Sequence, residues 1–435
     1  MKKFLLTLGF LVLLTALGVI VWDNISLRQT VRELRSEIAQ QEQARRDLER
    51  QVTSTQQAPK PEQQGGERER IEQQTSGLRG LPFKTPVNYK IIDRSELRQV
   101  LVGKVKEQYT EQEMRDYSRT LATVGLVPDG TDLLNVIVSL YTEQVAAFYV
   151  PEEHMLYTFK DLVFSSNLDK MLLSHELTHA LQDQNFDLLK FPLKVKDNDD
   201  LALATSALVE GDATVLMTRW YMENVDPSKM LGDLGAMFGQ NTAKLREAPP
   251  YLREMLLFPY QQGQQFAMAL YVAGGTAAID AAFRNPPTCT KDILHPEQFL
   301  QHRATPERIE LPKFDSKDWR LIGSNDLGEF GTRFLLQDGI GAFDAQTVAQ
   351  GWNGDRYAVY ERGTNGPTAL VWQSAWEDDQ QAGEFAAAYK KTIDKRGGPV
   401  ASNLHIHRDG KHVTVLQSSD SGFADAWNAA GHTAP

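Results

Sequence analysis

The sequence predicts an α+β fold, mainly helical in its first part, and three observations carry that prediction. Stretches with helical periodicity or helical length follow one another at 95–107, 111–124, 131–143, 167–185, 200–224 and 250–284, the last interrupted at Gly274 and Gly275. Two short β-rich runs, 145–150 and 154–159, flank Pro-Glu-Glu and read as a hairpin. From about residue 312 the texture changes. After helices near 325–337 and 343–350 come strands at 355–362 and 368–376, a helix at 378–392, strands near 403–408 and 412–417, and a short final helix. The tail of this region is a ββαββα order, a small α+β unit distinct from the helical part before it.

With 435 residues the chain is long enough for two or three domains. Lys2 and Lys3 precede nineteen uncharged residues, Phe4 to Trp22, about the length that crosses a hydrocarbon core. Residues 1–24 are therefore read as a membrane-spanning signal anchor, with the rest of the chain on the outer side. A cleaved signal peptide is the rival, with Ala16 and Gly18 as a weak cleavage site, and would make the body secreted. Residues 25–52 place Leu27, Val31, Leu34, Ile38, Leu48 and Val52 on a 4-3 spacing, broken by Gln41 and Arg45. They form either a weak coiled-coil stalk, a route to a homodimer, or a solvated helix. Residues 53–80, rich in Gln, Pro, Gly and charge, read as a disordered linker. The folded body then divides into 81–311 and 312–435.

Net charge is −11, which argues against nucleic acid as a partner. The single cysteine, Cys289, excludes an internal disulfide and a Cys-rich metal site.

The chemistry concentrates at HELTH, 175–179, inside the apolar helical context MLLSHELTHALQ. Residues four apart share a helix face, so His175 and His179 can present ring nitrogens to one ion. Glu176 lies on the neighbouring face, within reach of a water but not of the ion itself. Neutral imidazoles suit Zn²⁺ and leave room for a third protein ligand and an open position. Positions 182 and 185 are Gln and Asn, so the third ligand does not come from an extended motif on this helix. It is assigned instead to Glu210, a carboxylate in the apolar stretch LALATSALVEGDATVLMTRW. Gly211 beside it permits close approach of another helix.

HELTHALQDQ followed by VEGDA resembles the gluzincin-type zinc metallopeptidases, in which a following helix supplies the glutamate ligand. The two motifs, with EQVAAFY and ILHPE, also resemble a group of bacterial and archaeal membrane or secreted proteins. That resemblance covers about 130 to 300, with a fainter match in GWNGDRYAVY at 351–360. It implies a zincin-like catalytic domain in which His175, His179 and Glu210 hold zinc and Glu176 is the general base for peptide hydrolysis. Several gluzincins carry an Asp four residues after the ligand Glu; here that position is Thr214, and Asp212 and Asp183 are the nearby acids.

A tetrahedral oxyanion needs a further donor, for which His295, Tyr260 and Tyr221 are the candidates. If strand 154–159 is a sheet edge facing the cleft, an extended peptide can pair with it. The C-terminal unit shows no metal or nucleophile constellation and reads as an accessory domain. A protein of a different class, a non-catalytic envelope binding protein with structural zinc, has no use for a base at Glu176.

Overall fold

The computed structural model describes residues 61–432, apart from 94–95, 98, 100–101, 104–108, 145–146, 160–165, 194, 230–232 and 234–242. The expected anchor, the stalk and the start of the linker lie outside the described residues, as does part of the expected helix at 95–107. Helix α1 (Pro61–Arg79) corrects the linker reading from residue 61 onward. Ile71, Thr75 and Arg79 are buried at a spacing of four, one face of the helix. That face holds one isoleucine and one charge, too little apolar content for composition to reveal it.

Next come β1 (Asn88–Ile92), α2 (Glu111–Val124), α3 (Leu133–Gln144), β2 (Ala147–Val150) and β3 (Met155–Phe159). Thr110 and Glu113 form a reciprocal capping box that starts α2, and Gly125 ends it in the left-handed region at φ 94°. β2 and β3 are the expected antiparallel hairpin. β1 then pairs with β3 in parallel, so the order is β1-β3-β2 and β3 is central. The strand at 154–159 is therefore not an edge, and an incoming peptide has no free side of it to pair with. The strand that displaces it, NYKII, is largely exposed and gives only a faint alternation.

Helix α4 (Asn167–Phe186) starts at Ser166, whose hydroxyl accepts from the Asp169 amide. Helix α5 (Asp199–Asn224) follows, capped by Asn198. Both helices are buried on all sides through their middles, 171–183 and 202–217, as apolar all-round helices must be. After α6 (Ala243–Glu247), α7 (Pro250–Arg284) lies against α5 and breaks at Gly274 and Gly275 as the sequence predicts. The crossing is made by two glycines. A Cβ on Gly211 would sit 2.1 Å from the Gly263 carbonyl oxygen, and a Cβ on Gly263 2.2 Å from that of Ala207. α5 and α7 are also long and apolar enough to cross a bilayer by length and composition, but most of the apolar window of α5 is buried inside the protein.

Two short helices, α8 (Thr290–Leu294) and α9 (Pro296–Gln301), lead to the second sheet. Its elements are β4 (Trp319–Asn325), α10 (Gly328–Ile340), α11 (Ala342–Ala349), β5 (Trp352–Arg362), β6 (Thr368–Trp376), α12 (Asp379–Arg396), α13 (Gly398–Ser402), β7 (Leu404–Asp409), β8 (His412–Ser418) and α14 (Phe423–Ala429). The expected ββαββα tail is present, and β4 extends it to five antiparallel strands ordered β4-β5-β6-β8-β7. Alternate residues serve opposite faces. Trp372 and Trp376 pack on Phe385 of α12, while Tyr360 packs on Phe314 and Phe423. Asp355, within the GWNGDRYAVY segment, accepts both indole N–H groups of Trp352 and Trp372 and the amides of Leu327 and Gly328 at the start of α10.

The helical part and the sheet share one continuous apolar core from Ile71 to Val415. Polar ties add to it: Arg396 donates to the carbonyls of Val124 and Gly125, and Arg320 bridges Asp116 and Glu361.

The Gly211–Gly263 crossing has a direct consequence. Gly211→Ala forces α5 and α7 apart and should lower stability by about 1–3 kcal/mol or more, read as a reduced denaturant midpoint. A midpoint equal to that of the unaltered protein would show that the helices do not meet so closely.

Candidate metal centre

Helix α4 turns His175 and His179 to the same side, facing α5 where Glu210 projects between the two rings. His175 Nε2 and His179 Nε2 are 3.1 Å apart, and Glu210 Oε2 lies 3.3 and 3.4 Å from them. Each of the three side chains is at most 1% exposed. Among the described residues this is the group of His, Cys, Asp or Glu whose donor atoms converge closely enough to hold a metal ion.

The electrostatics follow from that burial. Burial lowers the pKa of His175 by disfavouring its charged form. Burial acts the same way at His179, but the Glu210 and Glu176 carboxylates outweigh it and raise its pKa to about 9. Burial pushes Glu176 well above the usual carboxylate range, against the pull of His179 and the Tyr149 amide. Neither oxygen of Glu210 receives a hydrogen bond among the described residues. A buried carboxylate without donors is costly, and a cation shared with two imidazoles removes that cost. The donor set therefore fits a metal ion.

A polar chain behind His179 fixes its orientation. Nδ1–H of His179 donates to Gln182 Oε1 at 2.9 Å, which leaves Nε2 for the centre. The Gln182 amide nitrogen donates to the Val209 carbonyl at 3.0 Å and to Asp212 Oδ2 at 2.8 Å. Asp212 in turn accepts from Arg79 Nε at 2.9 Å, and Arg79 Nη1 lies 2.8 Å from Asp280 on α7. The sequence gives neither Gln182 nor Arg79 a role: position 182 serves there only to exclude an extended ligand motif. Gln182 sits one helical turn past His179, a spacing that could have suggested it; nothing local marks Arg79. Asp212 does enter this layer, through Gln182. Thr214, where the resemblance looks for an acid, is fully buried.

The remaining candidates separate. Glu176 lies beside the triad, its Oε2 accepting from the Tyr149 amide of β2 at 2.9 Å. Tyr260 reaches the centre from α7, its ring centroid 6.5 Å from that of His175. His295 is engaged elsewhere, its Nε2 2.9 Å from both carboxylate oxygens of Glu329 on α10. Tyr221 donates to Asp233 at the far end of α5. Asp183 anchors the hairpin instead of a ligand, accepting from the Tyr149 hydroxyl at 2.8 Å and meeting His154 Nδ1 at 2.7 Å. In the second sheet, His412 pairs with Glu307, away from His405 and His407 on the neighbouring strand.

The Gln182 link is directly testable. Gln182→Ala should leave the fold intact and weaken metal binding about 10–100-fold, measured by competition with a chromophoric chelator. Unchanged affinity would remove Gln182 from the centre.

Residues 319–428, essentially the second sheet with its helices, match the family described as "Domain of unknown function (DUF8575)". No curated protein matches the chain. A solved structure from Chloroflexus aurantiacus, described as "a putative hydrolase with a novel fold", is similar over 56% of this chain and 91% of its own. The identity is 17% and the TM-score 0.37.

Proposed function

We propose that the protein is a zinc-dependent peptidase of the gluzincin type, held at a membrane by its N-terminal segment with its folded body on the outer side. The observation that carries the chemical part is the convergence of His175, His179 and Glu210 with Glu176 beside them. Tetrahedral ligands at ~2.0–2.1 Å from zinc lie ~3.3–3.4 Å from one another. The donor separations of 3.1, 3.3 and 3.4 Å support that assignment. Three protein donors, His175, His179 and Glu210, would hold the ion and would leave it accessible to solvent or substrate.

Bound there, zinc supplies Lewis acidity toward a carbonyl oxygen and toward water. The chain's own residues do the rest. Gln182 keeps the His179 proton on Nδ1. Burial raises the pKa of Glu176, and a divalent charge beside it would favour the carboxylate form that a general base needs. The Tyr149 amide fixes its Oε2, so Oε1 takes the proton of the attacking water and delivers it to the leaving amine. Tyr260 supplies the oxyanion donor. The sequence 1–24 supports the membrane anchor, and the heptad spacing of 25–52 supports a stalk through which two copies pair. The second sheet serves as an accessory domain.

The test uses the full chain in detergent. Wild type with one equivalent of zinc should cleave unfolded casein, and a chelator should stop it. Glu176→Gln should retain zinc and lose activity by roughly 10²–10⁴-fold. A wild type that binds zinc and cleaves nothing in a broad peptide library would instead be a non-catalytic envelope binding protein.

A further inference from the structure

A second cavity lies at the other end of α5, where α2, α5, α7, β4 and β5 meet. It measures about 200 Å³, and its wall includes Asp199, Asp200, Asp326, Tyr117, Tyr251 and Tyr357. The carboxylates are crowded. Asp200 accepts from the Thr290 amide and hydroxyl, and Asp326 accepts from the Asp200 amide. Neither is paired with a Lys, Arg or His among the described residues. Burial together with its acidic neighbours raises the pKa of Asp200 to about 7, and that of Asp326 well above its usual range.

The phenols give an independent sign of a ligand. The rings are buried, Tyr357 at 2% and Tyr251 at 7% exposed, and neither hydroxyl is bonded to another side chain or backbone group among the described residues. Both line the cavity. Two phenol oxygens left open on one cavity wall, with no protein partner, offer a polar occupant its hydrogen bonds. The donor atoms of these acids do not converge as those of the metal centre do, which argues against a bare divalent ion. Aromatic faces next to carboxylates match an organic cation instead. The rim already shows this chemistry: the Lys196 ammonium lies 4.8 Å over the Tyr109 ring and 3.4 Å from Glu113.

We infer that this cavity binds a primary ammonium or guanidinium group on a short aliphatic stem, the chemistry shared by small free amines and by lysine or arginine side chains. Asp326 and Asp200 balance the charge, Tyr251 and Tyr357 take its hydrogen bonds, and the tyrosine rings cover the stem. The site is independent of the metal reading: Glu210 is ten residues along α5 from Asp200, about 15 Å.

Calorimetry on the full chain in detergent tests it, with pentylammonium, Nα-acetyl-lysine-N-methylamide, 1-pentanol and Ca²⁺ as probes. Pentylammonium should bind saturably and 1-pentanol should not. Binding of the blocked lysine as well points to a peptide-borne source; binding of the free amine alone points to a small molecule. Asp326→Asn keeps the oxygen that accepts from the Asp200 amide and should weaken binding about tenfold or more. Tyr357→Phe, which removes one hydroxyl, should weaken it less. Saturable binding of Ca²⁺ without the amine would overturn the inference. So would an absence of amine binding to a folded wild type, or affinity unchanged in both variants.

Discussion

The rest of the structure depends on the dehydration of one carboxylate. Glu210 sits in the middle of a helix buried on all sides, with no donor to either oxygen among the described residues. Such a group is tolerable in a low-dielectric interior only beside compensating charge. Two imidazole nitrogens of α4 lie 3.3 and 3.4 Å from it, and their place is set by helix packing. The Gly211–Gly263 crossing brings α7 against α5 and carries Tyr260 and Asp280 with it. Helix packing and the polar chain behind His179 thus solve one problem from two sides.

How much of this the sequence discloses depends on whether the signal is local. HELTH is local, and its spacing on a helix places both rings on one face. Glu210 is legible because a lone carboxylate in an apolar stretch is conspicuous. Gly211 is legible because it stands beside that carboxylate. Gly263 is not, since only the partner helix gives it a purpose. Arg79 is the hardest case. Its surroundings read as polar and unstructured, and the carboxylates that neutralise it come from 133 and 201 positions further on (212 − 79 and 280 − 79). The central position of β3 was hidden for a related reason: β1 joins it across a long separation, through a strand with one buried residue.

Helix α5 carries two chemically different ends of one story. Its middle holds an acid stripped of hydrogen-bond donors, and its first turn holds acids crowded against tyrosines and the second sheet. The second sheet is thereby more than an appendage. Asn325 and Asp326, at the end of β4 and just beyond it, receive the first amides of α5, and Asp355 of β5 caps α10 beside them. The ββαββα unit was visible in the sequence as a separate texture. Its shared core with the helical part was not, because alternation along a strand shows that a face is buried without showing what covers it.

The buried pairing of Arg79 with Asp212 and Asp280 also sets an order of events in time. A ribosome adding about 5–20 residues per second reaches residue 280 roughly 10–40 s after residue 79. Until then the guanidinium of α1 has only part of its counter-charge, and burying it alone is prohibitive. Full docking of helix α1 therefore waits on α7, although α1 is made before the other described elements. The polar layer behind His179 closes late, when the chain is about two thirds synthesised, and α1, first of the described helices in the chain, is among the last pieces of the helical body to settle.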